Sequence, residues 1–199
     1  YWEEHYHQIK SDQDNTFDWF QTYDGVKDIF SQYFDQDAKI LNIGCGTSKL
    51  AESLYNEGYR FIMSIDFSNE SITCNFPYKY YWPPIAMQEK YNQMPKTFRF
   101  LRMNALDMDF RDEMFSHAIE KGTLDAILSG DRSTENARKY LNEVYRVLQP
   151  GGVFMCVSYR NIEHRLRHLQ NFEWNISVHR VYKKDFDDEF FKIKAEFVS

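Results

Sequence analysis

The chain has 199 residues, which is enough for one domain whose core needs neither disulfides nor a structural metal. With 43% hydrophobic and 27% charged residues, the composition excludes collagen-like, low-complexity and disordered proteins. Lys and Arg total 24 against 30 Asp and Glu, and this net charge of −6 favours a basic partner over nucleic acid. No apolar run approaches the roughly 18 residues of a membrane-spanning helix, so no membrane partner is expected.

The three cysteines, Cys45, Cys74 and Cys156, are far apart in the chain and form no Cys-x-x-Cys pair. This spacing predicts neither a disulfide framework nor a zinc site, and no metal is expected. The reducing cytoplasm is therefore the predicted compartment. Because the sequence begins at Tyr1 rather than Met, an upstream targeting segment is not excluded.

The first regular pattern is that of a strand, a turn, a helix and a second strand. Ala38 to Ile43 is an apolar run that ends at Gly44-Cys45-Gly46, and Ser48 to Glu57 has apolar residues at helical spacing. A second strand follows at Arg60 to Ile65 and ends at Asp66. This order predicts a βαβ unit with its glycine turn at the end of the first strand.

The rest of the chain continues to alternate between strand and helix patterns, which indicates an α/β fold. We expect a doubly wound, mostly parallel, seven-stranded, Rossmann-like sheet with a C-terminal antiparallel hairpin. The remaining predicted strands are Phe98 to Met103, Phe115 to Ile119, Val153 to Tyr159, Trp174 to Tyr182 and Glu189 to Val198, and the predicted helices are Asn136 to Leu148 and Asn161 to Asn171.

The domain organisation predicted from these patterns is a single domain over 1–199. Aromatic residues are frequent in 1–34, which we interpret as an N-terminal cap segment. The segment 76–95 combines four prolines with clustered tyrosines and is the least regular part of the chain, so we expect an insertion there.

The glycine turn is the strongest local indication of a ligand site. Glycines after a strand allow the backbone to approach a ligand closely, although a turn of this kind can also be purely structural. Asp66 follows Gly46 by 20 residues, the spacing at which a carboxylate accepts hydrogen bonds from ribose hydroxyls. The third glycine of a dinucleotide fingerprint would fall at Lys49, so that motif is incomplete. At the end of the third strand, the Asn104 amide and the neighbouring Ala105 backbone could contact the edge of an adenine ring, although this pair alone indicates no more than a turn.

Several motifs that occur in order along the chain resemble one known family. Together they look like class I S-adenosylmethionine-dependent methyltransferases, and more narrowly like those that act on lysines of eukaryotic elongation factor one-alpha. The motifs are Gly44-Cys45-Gly46, Asp66, Glu120 to Leu128 (EKGTLDAIL), Leu148 to Gly152 (LQPGG), Tyr1-Trp2 and Phe17-Asp18-Trp19-Phe20.

The resemblance implies S-adenosylmethionine as cofactor, S-adenosylhomocysteine as product, and a role for each matching position. Asp66 would bind the ribose and Phe67 would lie against the adenine, with Asn104, where the family usually has Asp, and Ala105 at its edge. The remaining implied contacts are Gly44, Cys45 and Gly46 with the methionine part, Lys121 with the cofactor, and Trp2, Tyr6 and Trp19 closing over it. Simple packing of an N-terminal helix is the alternative explanation of the last three.

The function implied is methylation of a lysine in a basic region of a protein such as a translation elongation factor. Glu120 is the candidate catalytic residue, because it could orient the amine or take its proton through water. Two alternatives remain at this stage. One is an oxidoreductase that binds NAD or another nucleotide on the same fold, and the other is a catalytically silent relative that only binds the cofactor.

Overall fold

The structure, a computed structural model, describes residues 18–68, 96–159, 162–182 and 189–197. Trp2, Tyr6 and the predicted insertion at 76–95 lie outside these residues. Among the described residues the helices are α1 (Lys27–Tyr33), α2 (Leu50–Asn56), α3 (Thr123–Ser129), α4 (Ser133–Val147) and α5 (Ile162–Leu169). The strands are β1 (Lys39–Ile43), β2 (Phe61–Asp66), β3 (Phe98–Arg102), β4 (Phe115–Lys121), β5 (Leu148–Ser158), β6 (Trp174–Tyr182) and β7 (Glu189–Phe197).

All seven strands form one sheet in the order β3-β2-β1-β4-β5-β7-β6. β1 to β5 pair in parallel, whereas β7 pairs antiparallel with both β5 and β6. This confirms the predicted fold class, including the antiparallel pair at the C-terminal end. The chain order reverses between β1 and β4, so a ligand site is expected at the carboxyl ends of these two strands.

The central strands β1 and β4 are buried on both faces, as their apolar character predicts. Successive residues of β1 point to opposite sides: Ile40 packs in a cluster with Phe30 of α1 and Leu54 of α2, and Leu41 packs in a second cluster. The second cluster includes Tyr140 and the other buried residues of α4. Among the described residues, no helix is both long and apolar enough to cross a membrane.

The segment after β4 differs from the sequence prediction. The sequence predicts that this strand ends at Ile119, but β4 continues to Lys121 and α3 begins at Thr123. Gly122 alone makes the turn, with a φ of +80° that favours glycine. The Glu120 carboxylate accepts hydrogen bonds from the Thr123 and Leu124 backbone N–H groups, so the strand itself supplies the cap of the helix. A side chain that caps a helix from within the preceding strand has no periodic sequence signature.

Candidate functional site

The glycine turn lies at the carboxyl end of β1 and packs directly on the start of α3. Gly44 and Gly46 have φ values of +63° and +51°, which L side chains rarely adopt. A Cβ on Gly44 would lie 2.1 Å from Thr123 Oγ1, a separation that no side chain could tolerate. The Thr123 hydroxyl donates a 2.9 Å hydrogen bond to the Ile43 carbonyl. The Gly-Cys-Gly and Lys-Gly-Thr motifs are therefore two halves of one packed unit.

Asp66 at the end of β2 is joined to this turn by a hydrogen bond. Its Oδ2 accepts the Gly46 N–H at 2.9 Å and its Oδ1 accepts the Ser68 N–H at 2.8 Å, and the residue is only 8% exposed. An ionised carboxylate accepts about four hydrogen bonds, so it can serve these backbone groups and a sugar hydroxyl together. The next residue, Phe67, is 61% exposed and presents an aromatic ring beside it.

Asn104 and Ala105 follow β3, the neighbour of β2. The Met103 N–H donates to the Asp66 carbonyl at 2.9 Å, which ties the start of their loop to the acid. Asn104 is exposed, and its Oδ1 accepts the Leu106 N–H at 3.0 Å, forming a local turn that keeps the side chain in place. The structure therefore brings this pair to the same sheet edge as Asp66.

On the other side of the turn, Lys121 at the end of β4 is buried and ion-paired with Asp18. Its ammonium also donates to the Gln21 carbonyl at 2.9 Å, and burial lowers the pKa of this lysine although Asp18 opposes the effect. The same Asp18 oxygen accepts the Ser48 hydroxyl. Asp18 thus joins the N-terminal segment both to β4 and to the loop after the glycine turn.

The glycine turn and Lys121 line one pocket at the point where the strand order reverses. Trp19 lies at this pocket beside the glycines, and its closing over a cofactor stays a prediction. The lining residues are Trp19, Asn42, Gly44, Cys45, Gly46, Ser48 and Lys121. Burial raises the pKa of the Cys45 thiol well above its ordinary value. This side chain therefore lines the pocket as an uncharged thiol and does not act as a nucleophile.

The residues present fit the adenosine-containing cofactor that the resemblance implies. Gly44 and Gly46 carry no side chain, the Asp66 carboxylate accepts the Gly46 N–H, and the exposed Phe67 ring follows that carboxylate. Asp66, Phe67, Asn104 and Ala105 lie at the carboxyl ends of β2 and β3, next to the glycine turn, and their contact with an adenosine stays a prediction.

Glu120, the predicted catalytic residue, is fully buried rather than exposed at the pocket. Its Oε2 accepts the Thr123 and Leu124 N–H groups at 2.6 and 3.3 Å, and its Oε1 accepts the Cys156 thiol at 2.5 Å. Burial raises its pKa to about 7. A direct role with the acceptor amine stays a prediction; the observed contacts are those of a residue that holds α3 in position.

Two residues important to this geometry were missed as site residues by the sequence reasoning. Asp18 joins three parts of the site, and Thr123 forms the wall behind Gly44. Both lie inside quoted motifs, Phe17-Asp18-Trp19-Phe20 and the segment at Glu120. Their place in these motifs was the one sign in the sequence that Asp18 and Thr123 belong to the site. Only the folded chain shows which atoms these two residues contact.

Comparisons with known proteins agree with this geometry. The methyltransferase domain family matches residues 41–156. The chain is 32% identical to the human "eEF1A lysine and N-terminal methyltransferase" over 186 residues, 91% of this chain but 24% of that protein. It is 27% identical to the mouse "EEF1A lysine methyltransferase 4", covering 96% of this chain and 72% of that one.

Among solved structures, an S-adenosylmethionine-dependent methyltransferase of Methanosarcina mazei has the same fold. The TM-score is 0.59 at 18% identity, over 85% of this chain and 97% of the other. The chain spans about a quarter of the length of the first curated relatives it matches. The family match covers more than half of the chain, from β1 to β5, and includes the glycine turn, Asp66 and Lys121. The chain therefore belongs to the methyltransferase domain family, in the class that depends on S-adenosylmethionine.

Proposed function

We propose that this domain transfers methyl groups from S-adenosylmethionine to a lysine side chain of a protein such as a translation elongation factor. The observation that carries the proposal is the pocket between β1 and β4, with Asp66 bonded to the Gly46 N–H. The choice of acceptor is supported by relatives whose names specify lysine methylation of eEF1A.

The chain's own part in the reaction is to bind, align and exclude water. S-adenosylmethionine, when bound, supplies a methyl group already activated on a sulfonium, so the protein need not form a covalent intermediate. Asp66 and Phe67 would hold the adenosine, while the glycine turn allows the close approach of the methionine part. Trp19 and Lys121 line the pocket, and the ion pair of Lys121 with Asp18 connects this wall to the N-terminal segment.

The acceptor must lose a proton before it can react. With an ordinary lysine pKa near 10.4, forming the neutral amine at pH 7 costs roughly 4.6 kcal/mol. A dry aromatic pocket beside a cationic sulfonium lowers the pKa of the amine and so supplies part of this free energy. The Glu120 carboxylate is buried and bonded to the start of α3, and we propose that its role is to hold this helix in position.

A protein α-amine is a second candidate acceptor, since the human relative is named for both lysine and N-terminal methylation. Its ordinary pKa of about 8 makes deprotonation at pH 7 much less costly than for lysine. The net charge of −6 favours a basic region of the acceptor in either case. We place the reaction in the cytoplasm, because Cys45 and Cys156 are free thiols and the relatives are named for a translation factor.

The test begins with calorimetric titration of the chain with S-adenosylhomocysteine, with NAD as a parallel control. Asp66→Ala should weaken binding of S-adenosylhomocysteine by at least about 100-fold, because a buried hydrogen-bonding carboxylate is lost. Asp37→Ala removes an exposed acid before β1, at the far end of the sheet, and should bind like the unchanged chain. Undiminished binding by the Asp66 variant would contradict the site assignment.

Transfer is then measured with labelled S-adenosylmethionine and purified eEF1A, and the modified position is mapped by mass spectrometry. Label on a lysine of eEF1A supports the proposal, and label on its N-terminus identifies the α-amine as the acceptor instead. Tight binding of S-adenosylhomocysteine without transfer to eEF1A or to any protein of a cell extract would identify a silent cofactor-binding relative.

A further inference from the structure

Two aromatic rings lie next to the cofactor pocket, on the side away from Asp66. Trp19 and Lys121 line that pocket. Phe20 and Gly122 are the residues that follow them in the chain. A Cβ on Gly122 would be 3.0 Å from Phe20 Cε2, so the glycine allows this ring to lie directly on the turn. The Phe20 ring in turn stacks on Tyr159, with centroids 5.9 Å apart and an interplanar angle of 20°.

Phe20 is held in a costly backbone conformation. Its φ of +64° lies in the left-handed region, which costs a bulky residue on the order of 1–3 kcal/mol. Such strain persists only where surrounding contacts determine it, and it is concentrated at functional sites. The contacts here are the Tyr159 stack, the Gly122 backbone and an edge-on contact with Trp19 at 6.0 Å.

The position of the pair in the sheet distinguishes it from the cofactor site. Tyr159 follows the last residue of β5, and the Gly122 N–H donates to the Val157 carbonyl at 2.9 Å, so the rings lie above the ends of β4 and β5. Asp66, by contrast, ends β2 on the opposite side of β1. Tyr159 is 43% exposed, so solvent reaches this residue.

We propose that Phe20 and Tyr159 receive the side chain of the acceptor lysine; this proposal rests on the proposed function and makes it more specific. The four-carbon stem lies along the rings, and their faces attract the ammonium when the lysine first binds and again after each methylation, whereas desolvation and the cationic sulfonium favour loss of the proton before transfer. A terminal α-amine has no such stem and gains little from the pair. The overall negative charge of the chain favours the same cationic ligand.

Variants of the two rings test this proposal by steady-state transfer to eEF1A, together with titration of S-adenosylhomocysteine. Tyr159→Ala and Phe20→Leu should each raise the KM for eEF1A about tenfold, since one ring face is lost. Their affinity for S-adenosylhomocysteine should stay within about twofold of the unchanged chain, because the rings hold the acceptor and not the cofactor. Tyr159→Phe, which keeps the ring but loses the hydroxyl, should raise the KM for eEF1A less than Tyr159→Ala does.

Phe61→Ala is the matched control, because Phe61 is 42% exposed but lies at the start of β2, at the far end of the sheet. The Phe61→Ala variant should change neither the KM for eEF1A nor the affinity for S-adenosylhomocysteine. Unchanged KM values in both ring variants would overturn the proposal. An equal loss of affinity for S-adenosylhomocysteine would also overturn it, since the rings would then belong to the cofactor site.

A titration without turnover separates this proposal from the proposed function. The chain saturated with S-adenosylhomocysteine is titrated with Nα-acetyl-lysine N-methylamide and with its Nε-trimethylated form, followed by NMR. Binding of these probes that is lost in Tyr159→Ala supports a lysine site even if no protein is methylated. No binding, or equal binding by the variant, overturns the proposal even if eEF1A is methylated.

Discussion

Glu120 is the residue whose environment departs most from what its sequence position suggests. It lies in a buried polar cluster, where burial and the nearby Asp125 charge raise its pKa to about 7, while the Cys156 thiol and the α3 N–H groups oppose the shift. Asp125 is ion-paired at 2.5 Å with Arg165 of α5, which is 1% exposed. The cluster therefore links α3 and α5 beneath the site, so its charge state affects the stability of both.

The raised pKa of Glu120 has a defined effect on stability. The folded chain binds more protons at this residue than the unfolded chain between its ordinary pKa of 4.5 and about 7, so its contribution to stability falls as pH rises through that window. Glu120→Gln removes this titration. We expect the stability of the variant relative to the unchanged chain to improve by up to about 3 kcal/mol from pH 5 to pH 8, measured by urea unfolding.

Glu135→Gln is the control, because Glu135 is exposed and paired with Lys139, which lowers its pKa. Its relative stability should change little with pH, and in the opposite direction. A pH-independent difference for Glu120→Gln would contradict the raised pKa. Turnover of the same variant addresses its predicted catalytic role: a large loss of kcat with the fold and S-adenosylhomocysteine binding retained would support proton transfer, and a near-normal kcat would leave it a positioning residue.

At the scale of elements, the site is made by the packing of the turn after β1 on the N-terminus of α3. Each motif is short and common by itself, yet Gly44 and Thr123 are in contact across 79 positions of sequence. The hydroxyl of Thr123 also bonds the last carbonyl of β1. The shape of the cofactor cradle therefore depends on α3 as much as on the glycines.

Gly44→Ala tests this contact. We expect it to lower the free energy of unfolding by more than the approximately 1 kcal/mol that a left-handed alanine costs, because the added Cβ would also meet Thr123 Oγ1. Affinity for S-adenosylhomocysteine should fall at least about tenfold, since the turn must move away from α3. Thermal unfolding and calorimetric titration measure the two effects.

Gly151→Ala is the matched control, because Gly151 also has a positive φ, +76°, but has no atom within 4 Å of the added Cβ. The Gly151→Ala variant should lose only the free energy of unfolding that a left-handed alanine costs. Adding Thr123→Ala to Gly44→Ala should restore part of the loss by removing the hydroxyl. The packing argument fails if the two glycine variants are equally destabilised.

The elements differ in how far their patterns could be predicted. The strands were placed well, because buried parallel strands are continuous apolar runs, and α4 was placed by the spacing of Tyr140, Leu141 and Val144. α1 and α3 were not predicted, and helix length is not the reason, because α2 also has seven residues and was identified by its apolar spacing. β5 begins at Leu148 rather than Val153, since its first residue pairs with Phe115 before a register shift.

For the molecule as a whole, net charge is the property that bears on the acceptor. A chain with a charge of −6 attracts a basic protein surface at long range, and salt screens this attraction. We expect the KM for eEF1A to rise severalfold between about 50 and 500 mM salt, while affinity for S-adenosylhomocysteine, which carries one charge of each sign, changes little. Steady-state assays and calorimetry at the two salt concentrations measure this.

Sucrose at matched osmolality is the control for effects other than screening, and it should leave the KM unchanged. A KM that is flat in salt would mean that acceptor recognition depends on contacts at the site rather than on the field of the whole chain. The aromatic pair Phe20 and Tyr159 would then account for most of the recognition.

The sequence by itself determined the fold class and the positions of the glycine turn and Asp66, because burial patterns and local turn chemistry are encoded in neighbouring residues. The cofactor class followed from the resemblance of its motifs to a known family. Only the tertiary structure decided that Asp18 is bonded to Ser48 and Lys121, that Glu120 is enclosed, and that Phe20 stacks on Tyr159. These contacts join residues up to 139 positions apart. Their geometry depends on which strands become neighbours in the sheet, and no local pattern specifies that.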